Sequence, residues 1–215
     1  MIFRNREDAG KKLARKIKEV LKREALEDAI VLALPRGGLP IGAAIRDEFQ
    51  IPMDAFLVRK IGAPGYAELA MGALAMGGAM IVNEEVFRMF NPSEEVVEHL
   101  IKTAENELKY QNTKYRKGRA MPEVKDKVII LVDDGLATGA TMRAAIAGLK
   151  KMGPKKIIVA VPVAATDTLK KVQKEADQVI CLFSTDAFSS VGQWYEDFSQ
   201  VTDEETEQLL HPSEE

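Results

Sequence analysis

The thirteen residues IILVDDGLATGAT, Ile129 to Thr141, pass from an apolar run through two adjacent carboxylates into a loop of small and hydroxyl-bearing residues. With Val128 in front, the apolar run reads as a strand buried on both faces. Beyond the loop an amphipathic pattern continues from Thr141 to Met152. The order is therefore strand, acidic pair, small-residue turn, helix. In an open parallel sheet, ligands sit beyond the carboxyl ends of the strands, and a turn entering a helix there offers unpaired backbone N–H groups to an anion.

The loop chemistry narrows the anion. Gly135 and Gly139 permit close approach, and the hydroxyls of Thr138 and Thr141 donate to phosphate oxygens without adding charge. Asp133 and Asp134 would repel a bare phosphate at that distance. They make sense as acceptors for the hydroxyls of a sugar that carries the phosphate, so the stretch fits a 5-phosphorylated ribose. A Walker-type loop is excluded because no GxxxxGK[ST] occurs, and this turn has no G-x-G-x-x-G.

Working outward, short apolar runs recur at Ile30–Leu34, Ala55–Val58, Met80–Val82, Val128–Val132, Ile157–Val161 and Val179–Phe183. Helical patterns fall between several of them, at Pro40–Phe49, Thr141–Met152 and Asp167–Lys174. This alternation predicts an α/β fold with a parallel sheet covered on both faces. An amphipathic first helix is expected from Ala9, Leu13, Ile17, Val20 and Leu21. Its basic residues alternate with Glu7, Asp8, Glu19 and Glu24, so they read as a solvated face. A helical insertion spans about 84–120, opened by Asn91-Pro92-Ser93-Glu94 with Val97, Leu100, Ile101, Ala104 and Leu108 as its stripe. Lys114, Arg116, Lys117, Gly118 and Arg119 read as an exposed helix end with charges that suit the dipole, with a phosphate-contacting role as the alternative. Residues 1–215 are expected to form one domain, with only His211 to Glu215 as a disordered tail.

Composition bounds the function classes. The chain has 215 residues, 30 basic and 33 acidic, for a formal net charge of −3. No bulk electrostatic argument favours nucleic acid or an anionic membrane. No run approaches the roughly 18 apolar residues of a membrane span, and no secretory signal is evident. The single Cys181 rules out an internal disulfide framework and reads as a buried small hydrophobe, so a cytoplasmic, soluble protein is expected.

Three other loops complete the picture. Leu34-Pro35-Arg36-Gly37-Gly38 leaves the first strand and enters a helix, a second candidate anion nest, or simply a glycine turn. Val58-Arg59-Lys60 opens into IGAPGYAELAMGALAMGG, which reads as a mobile lid whose only acid is Glu68 and only aromatic Tyr66. Ser184 to Phe198 concentrates Phe188, Trp194, Tyr195 and Phe198 as an aromatic hood over an acceptor, or equally as a small subsidiary core against the first helix.

Ile129–Thr141 resembles the phosphoribosyl-diphosphate signature of type I phosphoribosyltransferases. The resemblance implies a magnesium-dependent transferase that moves ribosyl 5-phosphate from 5-phosphoribosyl 1-diphosphate (PRPP) to a nitrogenous acceptor in nucleotide metabolism. It implies that Asp133 and Asp134 hold the ribose, and that Ala137, Thr138, Gly139, Ala140 and Thr141 cradle the 5-phosphate. Arg36 and Gly37 would attend the diphosphate, often with a cis peptide in that loop. Arg59, Lys60 and Glu68 would be catalytic, with strand-end solvation as the alternative for Arg59 and Lys60, and Phe188, Trp194 and Tyr195 would form the acceptor hood with the N-terminal segment and about residues 184–200. Mg²⁺ would be carried by PRPP, with no direct protein ligand and water bridges to Asp133 and Asp134 open. Ala137 stands where 6-oxopurine enzymes carry an aspartate, which disfavours that acceptor class. The ATGAT turn is closer to the adenine and orotate branches, although the lysine-and-histidine lid of orotate enzymes is missing. A homodimer is left open. So are a non-catalytic protein of the same fold that senses PRPP or another ribose phosphate, and a hydrolase or phosphorylase of ribose phosphates.

Overall fold

The computed structural model describes residues 2–22, 26–117 and 119–212, with backbone alone at 67 and 68. Five parallel strands form the main sheet: β1 (Ala29–Ala33), β2 (Met53–Ala55), β6 (Val128–Val132), β7 (Lys156–Ala165) and β8 (Gln178–Thr185), in the order β2-β1-β6-β7-β8. Three antiparallel strands, β3 (Val58–Ala63), β4 (Tyr66–Ala75) and β5 (Ala79–Val82), form a second, smaller sheet.

Period-two alternation sorts the strand residues between two hydrophobic layers. Val31 and Ala33 of β1 and Val128, Ile130 and Val132 of β6 face the layer built with helices α1 (Arg6–Val20) and α2 (Gly38–Phe49). Ile30, Leu32, Ile129 and Leu131 face the opposite layer, built with α5 (Ala140–Lys151), Val172 of α6 (Thr166–Glu175), and Ala73 and Ala75 of β4. All five β6 residues are buried, as the unbroken apolar run requires. The strand register Ala29↔Val128 through Ala33↔Val132 ends both central strands at the same edge.

The connections leave β1 and β6 in opposite directions. From β1 the chain passes through α2 to β2, whereas from β6 it passes through α5 to β7 and on through α6 to β8. Strand order therefore reverses between two neighbouring strands, which opens a crevice beyond their carboxyl ends.

The structure departs from the sequence expectations in four places. The stretch 61–78, read from the sequence as a mobile lid with no strand assigned to it, is mostly a β hairpin turning at Pro64-Gly65, where Gly65 has φ 75°. Its glycine, alanine and methionine content hides a strand because the usual β-branched signal is sparse. The apolar run 55–58 is divided between the end of β2 and the start of β3, on different sheets. The insertion is α3 (Glu84–Phe90) followed by α4 (Glu94–Arg116), capped by Ser93, whose side chain accepts from the Val96 N–H. Arg116 is not an exposed helix-end charge: it is 1% exposed, with Nε donating to Asp54 Oδ2 at 3.1 Å and Nη2 to the Ala55 carbonyl at 2.6 Å. A buried guanidinium needs such partners, and these staple α4 to β2.

A further helix, α7 (Asp203–Leu210), precedes the tail and starts with a capping box between Thr202 and Glu205. Of the expected tail, residues 213–215 lie outside the described residues, as do Glu24 of the first helix's polar face and Gly118 of the basic turn. Among the described residues no helix is long and apolar enough to cross a membrane.

Candidate active site

The crevice between β1 and β6 is where the two sequence-selected loops meet. The Leu34 N–H donates to the Val132 carbonyl at 2.9 Å, and the Pro35–Arg36 peptide is cis, as the resemblance led us to expect. The glycines of this loop are dictated by their neighbours. A Cβ on Gly37 would lie 2.1 Å from Asp134 Oδ2, and one on Gly38 would lie 2.7 Å from the Val132 carbonyl oxygen. No side chain fits between the Pro35–Gly38 turn and the acidic pair.

The loop after β6 is stitched to its neighbours by backbone groups. Leu136 donates to the Val163 carbonyl at 2.9 Å and accepts from Ala165 N–H at 2.9 Å, and Thr168 Oγ1 donates to the Ala137 carbonyl at 2.6 Å. Gly139 ends the loop as the N-cap of α5 at φ 73°, where a Cβ would lie 2.5 Å from Thr168 Cγ2. Both the left-handed backbone and the contact with α6 select glycine.

Two helices start at this edge, and neither is closed by its own sequence. Gly37 caps α2 and Gly139 caps α5; neither has a side-chain cap bond or an acid in its first turn. At α5 the dipole and first N–H groups are therefore uncompensated by side chains, as an anion site needs, whereas α2 offers its dipole alone: the Gly38 and Leu39 N–H groups donate to the Leu34 and Arg36 carbonyls at 2.9 and 3.2 Å, and Pro40 has no N–H.

The electrostatics of the pair follow from enclosure. Burial and the neighbouring charge of Asp134 push the Asp133 carboxyl well above the usual carboxylate range. Burial also raises Asp134, against the opposing pull of Arg6, whose Nε donates to Asp134 Oδ2 at 2.8 Å. The Asp133 carboxylate accepts from the Asp134 N–H at 2.9 Å. Two carboxylates enclosed together, one of them compensated by a cation, form a strong acceptor set for a diol.

The remaining site residues fall into two further groups. Arg36 makes an ion pair with Asp203 at 3.6 Å, and Lys114 donates to the same carboxylate at 2.7 Å. Tyr115 lies close enough that Arg36 and Arg59 both pull its phenol down against the dominant effect of burial, which raises it. Arg59 on β3 donates to Glu107 of α4, and with Lys60 it lines a groove of about 690 Å³ between the hairpin and α4. Tyr66 does not turn toward the crevice: it is 65% exposed and meets Phe90 of α3 edge-on at 5.6 Å. The Glu68 side chain lies outside the described residues.

Tyr195 lies in the main core, and Phe188 and Trp194 pack against it. Trp194 packs against Phe183 and Phe188 with centroids 5.0 and 6.1 Å apart. Tyr195 is buried against Phe3, which precedes α1, at 5.5 Å, and its hydroxyl donates to the Asp134 carbonyl at 2.6 Å. Tyr195 and Phe3 therefore belong to the main core layer on the α1 and α2 side, not to a separate small core, and Tyr195 touches the acidic pair as well. Val191 closes over Gly135, where a Cβ would lie 2.7 Å from Val191 Cγ1.

Sequence reasoning missed Arg6, Glu107, Tyr115 and Asp203. Arg6 reaches Asp134 across 128 positions of sequence, so no local pattern could have paired them. Asp203 does carry a local signal, the T-x-x-E box that starts α7. Cys181 is half-buried, with burial pushing its thiol up to about 11, as suits an unreactive position.

Comparison with known proteins agrees with this geometry. The family profile described as phosphoribosyl transferase domain matches residues 2–197. Two Mycobacterium tuberculosis proteins named "Putative phosphoribosyl transferase" are 33% identical over 209 residues, which is 97% of this chain and 46% of theirs. The chain thus spans less than half the length of these relatives. A uracil phosphoribosyltransferase of Acinetobacter baylyi is 42% identical over 67 residues, 31% of each chain. The crystal structure of TT1426 from Thermus thermophilus superimposes with a TM-score of 0.82 at 35% identity, covering 98% of both chains. Together with the two convergent loops, these matches show that the chain belongs to the phosphoribosyl transferase domain family.

Proposed function

We propose that this chain binds 5-phosphoribosyl 1-diphosphate in the β1/β6 crevice and transfers its ribosyl 5-phosphate group to a nitrogenous acceptor, releasing diphosphate. The observation that carries the reading is the contact of the two loops: Asp134 occupies the space a side chain on Gly37 would need. A donor with phosphates at both ends of one ribose requires two anion cradles flanking a diol acceptor set, and the crevice offers uncapped helices on either side of two carboxylates.

In this reading the backbone of Ala137 to Thr141 and the Thr138 and Thr141 hydroxyls hold the 5-phosphate, and Asp133 and Asp134 accept from the ribose hydroxyls. Arg36 and the Gly37 backbone meet the diphosphate. Arg59 and Lys60 add positive charge toward the leaving group once the hairpin comes to the donor. Transfer breaks the bond from C1 of the ribose to the diphosphate oxygen and forms one to the acceptor nitrogen. Positive charge developing on the ribosyl carbon is flanked by the carboxylate pair, and negative charge on the departing diphosphate by the arginines. Catalysis is positioning plus electrostatics.

Mg²⁺ would be supplied with the donor in this reading, and would lend positive charge that neutralises the leaving group. Asp133 and Asp134 suit water-bridged contact to such an ion, since a hard cation prefers oxygen ligands. The hood residues Phe188, Trp194 and Tyr195 and the Val191 side chain bound the acceptor side. The short match to a uracil enzyme places uracil among the acceptors to try.

The test is diphosphate release from PRPP with Mg²⁺ across purines, pyrimidines, orotate and other nitrogen acceptors. Acceptor-dependent release is expected for at least one. Donor binding without turnover for any acceptor would retain the site and refute the transfer, and release without acceptor would indicate hydrolysis.

A further inference from the structure

Arg6, the first residue of α1, is held on three sides. Its Nε donates to Asp134 Oδ2 at 2.8 Å, its Nη1 donates to the Ser199 carbonyl at 2.7 Å, and its guanidinium carbon lies 3.8 Å from the Phe198 ring centroid. Its side chain retains 11% of its exposure and that of Asp134 14%. The segment around it is clipped to the hood by backbone bonds, with Phe3 donating to the Trp194 carbonyl, Glu196 to the Phe3 carbonyl and Asp197 to the Arg4 carbonyl at 2.8, 2.8 and 2.9 Å. Tyr195 of the same clip donates to the Asp134 carbonyl.

We propose that Arg6 is a positioning residue for the ribose site: it fixes the Asp134 carboxylate for the sugar and couples the 194–199 hood segment to donor affinity. The inference rests on the reading of Asp134 as a ribose acceptor. With Oδ2 engaged by Arg6, the other oxygen, Oδ1, is the one assigned to the ribose hydroxyl. A guanidinium suits this post because its planar fork can serve a carboxylate and a carbonyl while its face lies on a ring. A lysine could reach only as a point charge. Without the cation, Asp134 would sit enclosed beside Asp133 with no compensating charge, and its charged form would be disfavoured.

The experiment is a calorimetric titration with PRPP and Mg²⁺ of the unaltered protein, Arg6→Gln, Arg6→Lys and Phe198→Leu, each with a thermal melt. Lys11→Gln, on the exposed face of α1, serves as control. Loss of one hydrogen bond to a charged group predicts donor affinity about 10- to 100-fold weaker in Arg6→Gln. Partial recovery is expected in Arg6→Lys, a smaller loss in Phe198→Leu, and no change in Lys11→Gln. A folded Arg6→Gln variant with a lowered melting temperature but unchanged affinity would make Arg6 merely structural and overturn the proposal. If Arg6→Gln does not fold, unchanged affinity in Phe198→Leu overturns it instead. Failure of the unaltered protein to bind PRPP would refute the functional reading itself, a distinct result.

Discussion

Six helix N-termini fall into two kinds, and α6, capped by Ala165 with no side-chain bond but with Asp167 in its first turn, stands between them. At α1, α3, α4 and α7 the cap is Asn5, Asn83, Ser93 or Thr202, each accepting a first-turn N–H, and acids follow at once. At α2 and α5 the cap is a glycine with no side-chain bond, and the first turn carries no acid. The first kind spends its dipole on itself; the second leaves it for something else. Both of the second kind open on the β1/β6 crevice, beside the adjacent aspartates that follow β6. The contrast separates helices that stabilise the fold from helices that serve a ligand.

The strongest way to break this contrast is to remove the sugar acceptors. Asp133→Asn with Asp134→Asn should abolish measurable PRPP binding, a loss beyond about 100-fold if each charged hydrogen bond contributes the usual amount. The circular dichroism spectrum and melting should stay those of a folded protein.

Next, α5 can be given the acid that α1 and α4 have. Thr141→Glu in its first turn should weaken PRPP at least about tenfold, through repulsion of the 5-phosphate, while holding or raising stability by roughly 0.3–1 kcal/mol from the dipole. The opposite substitution belongs to the first kind of helix. Ser93→Ala at α4 should cost about 1 kcal/mol in chemical denaturation and leave PRPP affinity unchanged. If these two effects were exchanged, the division between the helices would be wrong.

The smallest effect concerns the cost of the carboxylates themselves. Asp133 holds a proton more tightly in the fold than in the unfolded chain, because burial and Asp134 disfavour its charge. Folding stability therefore falls as pH rises from the ordinary carboxylate range through the raised folded value. Asp133→Asn should remove that slope and raise stability near neutral pH by about 1 kcal/mol, read from denaturant midpoints at a series of pH values.

Much of this was legible in the sequence because the signals are local. Val128–Val132 is buried on both faces as its five apolar residues demand, and the glycines of both edge loops mark where the backbone comes so close to a neighbour that no Cβ fits. What was not legible lies across long sequence separations or weak propensity. The 61–78 stretch lacks the residues that announce strands, so its hairpin is set by packing on α4 and α5 rather than by its own composition. Arg116 reads as a surface charge until β2 is seen to bring Asp54 and the Ala55 carbonyl to it. Arg6 looks like one more base on a solvated helix, and only the fold sets it against Asp134.

The most direct test of the central claim is a crystal structure of the protein with PRPP and Mg²⁺. The expected result is the 5-phosphate on the backbone N–H groups of residues 137–141, the ribose hydroxyls on Asp133 and Asp134, and the diphosphate beside Arg36 and Gly37. A donor bound instead in the groove between the hairpin and α4, with the β1/β6 crevice empty, would contradict it.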